Sequence, residues 1–146
     1  MKINKVRDIV QKKIKLYSTF NTIINNLEEN KLTSDSRDIN SFIKSKNKNS
    51  NIVEVQAIKN ISIDNQIKEI EEWRKVIDFV FEEIKEENNH TKLEALQYKY
   101  LCKIPESSIL EMLPISKGTL RNYMLEFITE IGIIAIYRGI IKMEKF

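Results

Sequence analysis

Leu113-Pro114-Ile115-Ser116-Lys117-Gly118-Thr119-Leu120-Arg121-Asn122-Tyr123 is the stretch on which the reading of this chain turns. Pro114 lacks an amide hydrogen and ends whatever short helix precedes it. Ser116 places a side-chain oxygen where it can cap a new helix beginning at Lys117. Beyond that cap, Leu120, Tyr123, Met124, Phe127, Ile128 and Ile131 recur at steps of three and four, forming one buried stripe. Lys117, Gly118, Arg121, Asn122 and Leu125 fall on the other side. The prediction is a short helix, a tight corner with Ile115 plugging the angle, and a longer helix whose first turns face outward.

Upstream, Pro105 suits the first turn of the short helix, which contains Ser107 to Leu113. Thr91 and Glu94 read as a capping box opening a helix to about Lys103, with Leu93, Leu96, Tyr100 and Leu101 facing inward. A longer helix is predicted from near Ser62 to about Glu87. Its stripe is Ile63, Ile67, Ile70, Trp73, Ile77, Val80, Phe81 and Ile84; Asp64 lies in its first turn, and Trp73 is a packing anchor. Asn51 and Glu54 suggest a capping pair for a short helix through Ala57 and Ile58. From Glu29 to Ser50 periodicity dissolves, and Ser34 to Asp38 and Ser45 to Ser50 read as linker around a short turn at Ile39 to Ile43. The first segment, Ile3 to Leu27, carries Ile3, Val6, Val10, Ile14, Tyr17, Phe20, Ile24 and Leu27 on one stripe, with its lysines as a solvated face.

Only 3 Gly and 2 Pro punctuate 146 residues, too few for the turns of a sheet protein. The expected fold is all-α: a long helical hairpin followed by a C-terminal helix-turn-helix domain. The division expected is residues 1–60, a helical region with polar linker, and residues 61–146, a central helix with the C-terminal domain. The first two long helices are expected to pair antiparallel or to supply half of a dimer interface. After Gly132, which with Gly139 is expected to bend or end the last helix, Ile133, Ile134, Ile136, Tyr137, Ile140 and Ile141 need cover. The N-terminal hairpin or a second subunit would provide it, so a homo-oligomer, a dimer, is expected.

Charge is uneven. Residues 1–60 carry 12 basic and 6 acidic side chains, residues 61–87 carry 4 and 9, and residues 88–146 carry 8 and 6. With a net charge of +3, phosphate binding would rest on local clusters and not on the field of the whole molecule. No apolar run approaches the ~20 residues of a membrane span, so no membrane partner is expected. The start of the chain lacks the pattern of a secretory signal. The single Cys102 cannot form an internal disulfide and suits a reducing compartment, so the expected localisation is cytoplasmic. His90, in an Asn-rich connector, has no neighbours spaced for a metal, and Cys102 reads as a helix residue near the core. No glycine-rich phosphate loop exists, and pairs such as Glu82-Glu83 suit a solvated helix face. No cofactor and no enzyme activity are expected.

A helix-turn-helix in this frame sets its second helix in the major groove of double-stranded DNA. Lys117 and Arg121 can reach guanine edges or phosphates, and Asn122 can pair with adenine. Gly118 allows close approach, Thr119 can meet a methyl group or a phosphate, and Ser107 and Ser108 can donate to backbone phosphates. Ser116 holds the start of that helix. The rival is a helical assembly or interaction protein whose corner packs against protein alone.

From Asn51 onward the chain also resembles the RinA/ArpU group of phage-encoded transcriptional regulators. The resemblance covers about two-thirds of the chain. It runs through Asn51-Ile52-Val53-Glu54-Val55-Gln56-Ala57-Ile58-Lys59, the Trp-bearing Ile70-Glu71-Glu72-Trp73-Arg74-Lys75-Val76-Ile77, and Leu93-Glu94-Ala95-Leu96-Gln97-Tyr98-Lys99-Tyr100. Leu113 to Tyr123 resembles that group's recognition corner, and also the sigma-factor segment that reads the upstream promoter element. The resemblance implies a regulator of late phage genes, and RNA polymerase is expected as a second partner. A small-terminase-like packaging subunit lies between the regulator and assembly readings, since it too binds DNA through a helix-turn-helix. Two residues depart from the pattern: Leu110 stands where a small side chain is usual, and Pro114 where glycine is usual. Leu110 is expected to push the helices apart unless its neighbours are smaller, and Pro114 forbids the left-handed turn. Glu126 and Glu130 make the second helix less basic than the group's norm.

Overall fold

Residues 3–31 and 49–142 are described in the computed structural model, with side chains over 3–31 and 53–142. All the elements they form are helices: α1 (Ile3–Tyr17), α2 (Phe20–Glu29), α3 (Asn49–Glu86), α4 (His90–Tyr100), α5 (Glu106–Met112) and α6 (Lys117–Tyr137). The linker and turn expected within 34–48 lie outside the described residues.

The first segment is two helices, not one. Thr19 donates both its amide and its hydroxyl to the Leu16 carbonyl, at 2.9 and 2.8 Å. A hydroxyl that captures the carbonyl three residues back competes with helix continuation, and the chain breaks at 18–19. The opposite happens further on. Asn51 opens no helix and Ser62 starts none, because α3 runs unbroken from Asn49. No Gly or Pro interrupts 49–86, and Asn and Ser cost only tenths of a kcal/mol inside a helix. Asp64 is therefore an interior residue paired with Lys31, not a first-turn acid.

Two asparagines end α3 and start α4. Asn88 takes a left-handed backbone (φ 59°), and its amide donates to the Lys85 carbonyl. Asn89 then caps α4, its side chain accepting from the Lys92 amide at 3.1 Å. The cap is thus Asn89 and not Thr91, since asparagine serves both a left-handed stop and a cap. At the far end Leu101 is exposed, not inward, and Cys102 lies past the helix end and is exposed. Gly139 (φ 77°) closes α6: its amide donates to Ile136 and that of Ile140 to Ala135, the double bond of a Schellman motif. Gly132, by contrast, does not end α6, which runs on to Tyr137. A Cβ there would come within 3.2 Å of Val6 Cγ1, so its missing side chain lets α1 approach closely.

Two compact units result, Met1–Phe20 with Glu71–Phe146, and Asn21–Ile70. This partition does not follow the expected division at residue 60, because α1 packs chiefly along α6. Val6, Val10 and Ile14 are buried with Phe127, Ile128, Ile131 and Ala135. Of the apolar residues after Gly132, Ala135 and Ile141 are buried, Ile134, Ile136 and Ile140 are half-buried, and Ile133 and Tyr137 stay 61% and 90% exposed. The contacts α1 makes with α3 place Lys13 over Trp73 and Tyr17 against Asp78 and Phe81. Rings of Tyr17, Phe81, Phe127 and Tyr100 form a continuous chain linking α1, α3, α6 and α4, with centroids 4.8–5.9 Å apart. Trp73, 1% exposed, is the packing anchor its stripe position predicts. The second unit buries Ile24 and Ile63. Among the described residues no helix is long and apolar enough to cross a membrane.

Candidate nucleic-acid interface

The α5–α6 corner is built on a small apolar cluster. Ala95 of α4, Ile109 of α5 and Leu120 of α6 are fully buried, and Leu110, Leu113, Ile115, Tyr123 and Met124 pack against them. Ile115 fills the corner as its sequence position predicts. Leu110 is half-buried on this cluster, whose α4 member, Ala95, is the small neighbour its bulk calls for. The turn also dispenses with glycine. Leu113 is extended (φ −118°, ψ 144°), as a residue before proline must be, and the Ile115 amide donates to the Leu113 carbonyl at 2.9 Å. Pro114 is thus the centre of a three-residue turn, for which its fixed φ is suited.

Ser116 caps α6, accepting from the Thr119 amide at 3.1 Å, and its hydroxyl lies 2.9 Å from that of Thr119. These two hydroxyls hold the helix start. Lys117, Gly118, Arg121 and Asn122 are all exposed on the first two turns, with Leu125 (45% exposed) next along the same face. Neither Lys117 nor Arg121 has an ion pair among the described residues. A Cβ on Gly118 would meet nothing closer than Ser116 Oγ at 3.9 Å, so no packing within the chain requires glycine there. Ser107 (exposed) and Ser108 (half-buried) lie in the first turns of α5, apart from that set. Glu106 opens the same helix and sits 3.6 Å from Lys99. α5 contributes Glu106 and Glu111 and no basic side chain, so the positive charge of the surface comes from α6.

Glu126 does not neutralise Arg121. It accepts from Lys92, whose ammonium reaches across from α4 at 2.9 Å, with Glu87 at 3.9 Å and the Tyr123 ring beneath. Burial opposes the charge on Lys92, but the hydrogen bond and charge of Glu126, joined by Glu87 and Glu130, hold its pKa above the ordinary lysine value. The Glu130 carboxyl is pushed up, first by burial and then by Glu87, Glu83 and Glu126, with Lys92 pulling the other way. Lys92 thus ties α4 to α6 through Glu126 and occupies that carboxylate away from Arg121. Sequence reasoning passed over it, although it stands four and eight residues before Leu96 and Tyr100, on their buried line.

No protein-family model, no curated protein sequence and no solved structure matches this chain.

Proposed function

We propose that this chain is a sequence-specific DNA-binding transcriptional regulator, and that its α5–turn–α6 segment is a helix-turn-helix with α6 as the recognition helix. The observation that carries this reading is the outward face of the first two turns of α6. Lys117, Arg121 and Asn122 are exposed together, without partners among the described residues, on a helix whose opposite face is anchored by Leu120. Gly118 beside them has no structural reason to lack a side chain and gives a duplex close access to the backbone. Arg121 and Lys117 match guanine or phosphate, and Asn122 matches adenine. The assignment to phage or prophage late genes rests on the resemblance of residues 51–123 to RinA/ArpU-type regulators. A homodimer on a palindromic operator is the arrangement this class of surface favours.

A second reading, a helical assembly subunit of the packaging type, is favoured by one observation. Val55, Ile58 and Ile61 are 59–68% exposed at three-residue steps on α3. Such a line suits a protein partner.

Enrichment of a randomised duplex library on the full-length protein separates the two. A regulator selects a defined motif, and Arg121→Ala relaxes one base position at a cost of about 1–3 kcal/mol. Recovery of unselected sequence by well-folded protein contradicts the regulator reading.

A further inference from the structure

Apart from the polar face, unit Met1–Phe20 with Glu71–Phe146 holds a second feature that the DNA reading leaves unused. A cleft of about 210 Å³ opens between the start of α1 and the C-terminal half of α6. Val6, Ile128, Ile133 and Ile136 make its walls, and Gly132 lies where the two helices come closest. Among the described residues Arg7 and Thr129 are its only polar lining side chains. Both are exposed, and Arg7 has no ion pair among the described residues.

We propose that this cleft binds a small amphipathic monocarboxylate, of the size of a medium-chain fatty acid or an arylacetate. Its capacity sets the size: an apolar cavity of about 150 Å³ accommodates benzene, and this one is larger. Its charge sets the headgroup. Among the described residues the lining holds one cation and no carboxylate, so a cationic ligand is repelled and an anionic one gains a charged partner that a neutral one lacks. A carboxylate satisfies the planar Arg7 fork with two parallel hydrogen bonds, and the Thr129 hydroxyl supplies a third donor. The site joins α1 to α6, so an occupant favours the docked arrangement of the two helices. This inference does not depend on the DNA reading.

The test uses ¹⁵N-labelled full-length protein titrated with octanoate and, separately, with 1-octanol, which has the same apolar body without the charge. Octanoate is expected to shift amides in 3–7 and 128–136, binding about tenfold more tightly than octanol. Arg7→Gln is expected to bring octanoate down to the affinity of octanol while leaving octanol unchanged. Thr129→Val is expected to weaken octanoate by a smaller factor. Arg7 is exposed, so its variant keeps the fold, and the rest of the amide spectrum verifies this. Equal affinity for the two probes, shifts confined to other segments, or no binding of either by folded protein overturns the proposal. So does a concentration-dependent dimer, seen by sedimentation, that broadens these same amides and is indifferent to octanoate.

Discussion

The two halves of α6 are one continuous helix put to different uses. From Phe127 to Ala135 its inner face is buried against α1, the aromatic chain and the close contact at Gly132. From Lys117 to Leu125 its inner face is anchored by Leu120 and Tyr123, while its outer face carries exposed polar side chains that no described residue engages. The first half of this contrast explains why the helix holds together. The second shows which residues can be changed without disturbing it, and those are the residues available to a partner.

The sharpest way to break the contrast is Phe127→Ala. Phe127 is fully buried and stacks between Phe81 and Tyr100. Its loss is expected to lower stability by about 3–5 kcal/mol, measured by urea unfolding. Arg121→Ala is expected to lie within about 0.5 kcal/mol of wild type in the same measurement. Comparable losses in the two variants mean that the outer face is structural after all.

Alkaline titration probes the buried half next. Burial, with the charge of Glu106, pushes the Tyr100 phenol up to about 12. An acid whose pKa is raised by folding contributes stability that is full below its unfolded value near 10. That stability is lost as pH rises through the folded value. A shift of about two units corresponds to ~2–3 kcal/mol lost between pH 10 and 12. Tyr17, raised by burial and its hydrogen bond to Asp78, and Lys92 act in the same direction. Tyr100→Phe is expected to flatten part of that decline, and an unchanged profile contradicts the burial argument.

Lys92→Met is a milder intervention at the junction of the halves. Glu126 is more than half exposed, so the pair is partly screened and its loss is expected to cost about 1 kcal/mol at neutral pH. The loss is expected to shrink as pH falls, because Glu130 already has a raised pKa and protonates more readily once its cation is gone. A loss that does not vary between pH 7 and 4.5 contradicts the carboxylate-crowding account. The smallest effect sharpens the contrast most. Gly118→Ala is expected to raise stability by about 0.5 kcal/mol, since alanine is the better helix residue and its Cβ meets open space. The same variant is expected to weaken DNA binding. If it stabilises the fold and leaves binding unchanged, Gly118 is not at the interface.

Helical periodicity made the buried stripes legible, since steps of three and four leave little choice of face. Ser116 was equally legible as a cap, because proline and serine two residues apart specify a stop and a start. What the sequence concealed were competitions between neighbours. Thr91 and Asn89 both qualify as caps, and the left-handed Asn88 decides for Asn89. Ser18 and Thr19 break a stripe that periodicity alone carries through to Leu27, whereas Asn51 and Ser62 break nothing. Gly132 reads as a helix breaker until its partner, Val6 from the far end of the chain, is known. Long-range partnership is also why Lys92 escaped notice: its position is apolar by register, and only Glu126, 34 residues away, accounts for a charge there.

The most direct test of the central claim is binding of labelled duplex DNA across a salt series, with wild type beside the Arg121→Ala, Asn122→Ala double variant. Two α6 cations per chain predict that log affinity falls with log salt with a slope of about −2 for each bound chain. The double variant is expected to lose at least tenfold in affinity and about one unit of slope, with no change in stability. Equal binding by both proteins, or none by either at low salt while folded, contradicts the assignment of the outer face of α6 to DNA.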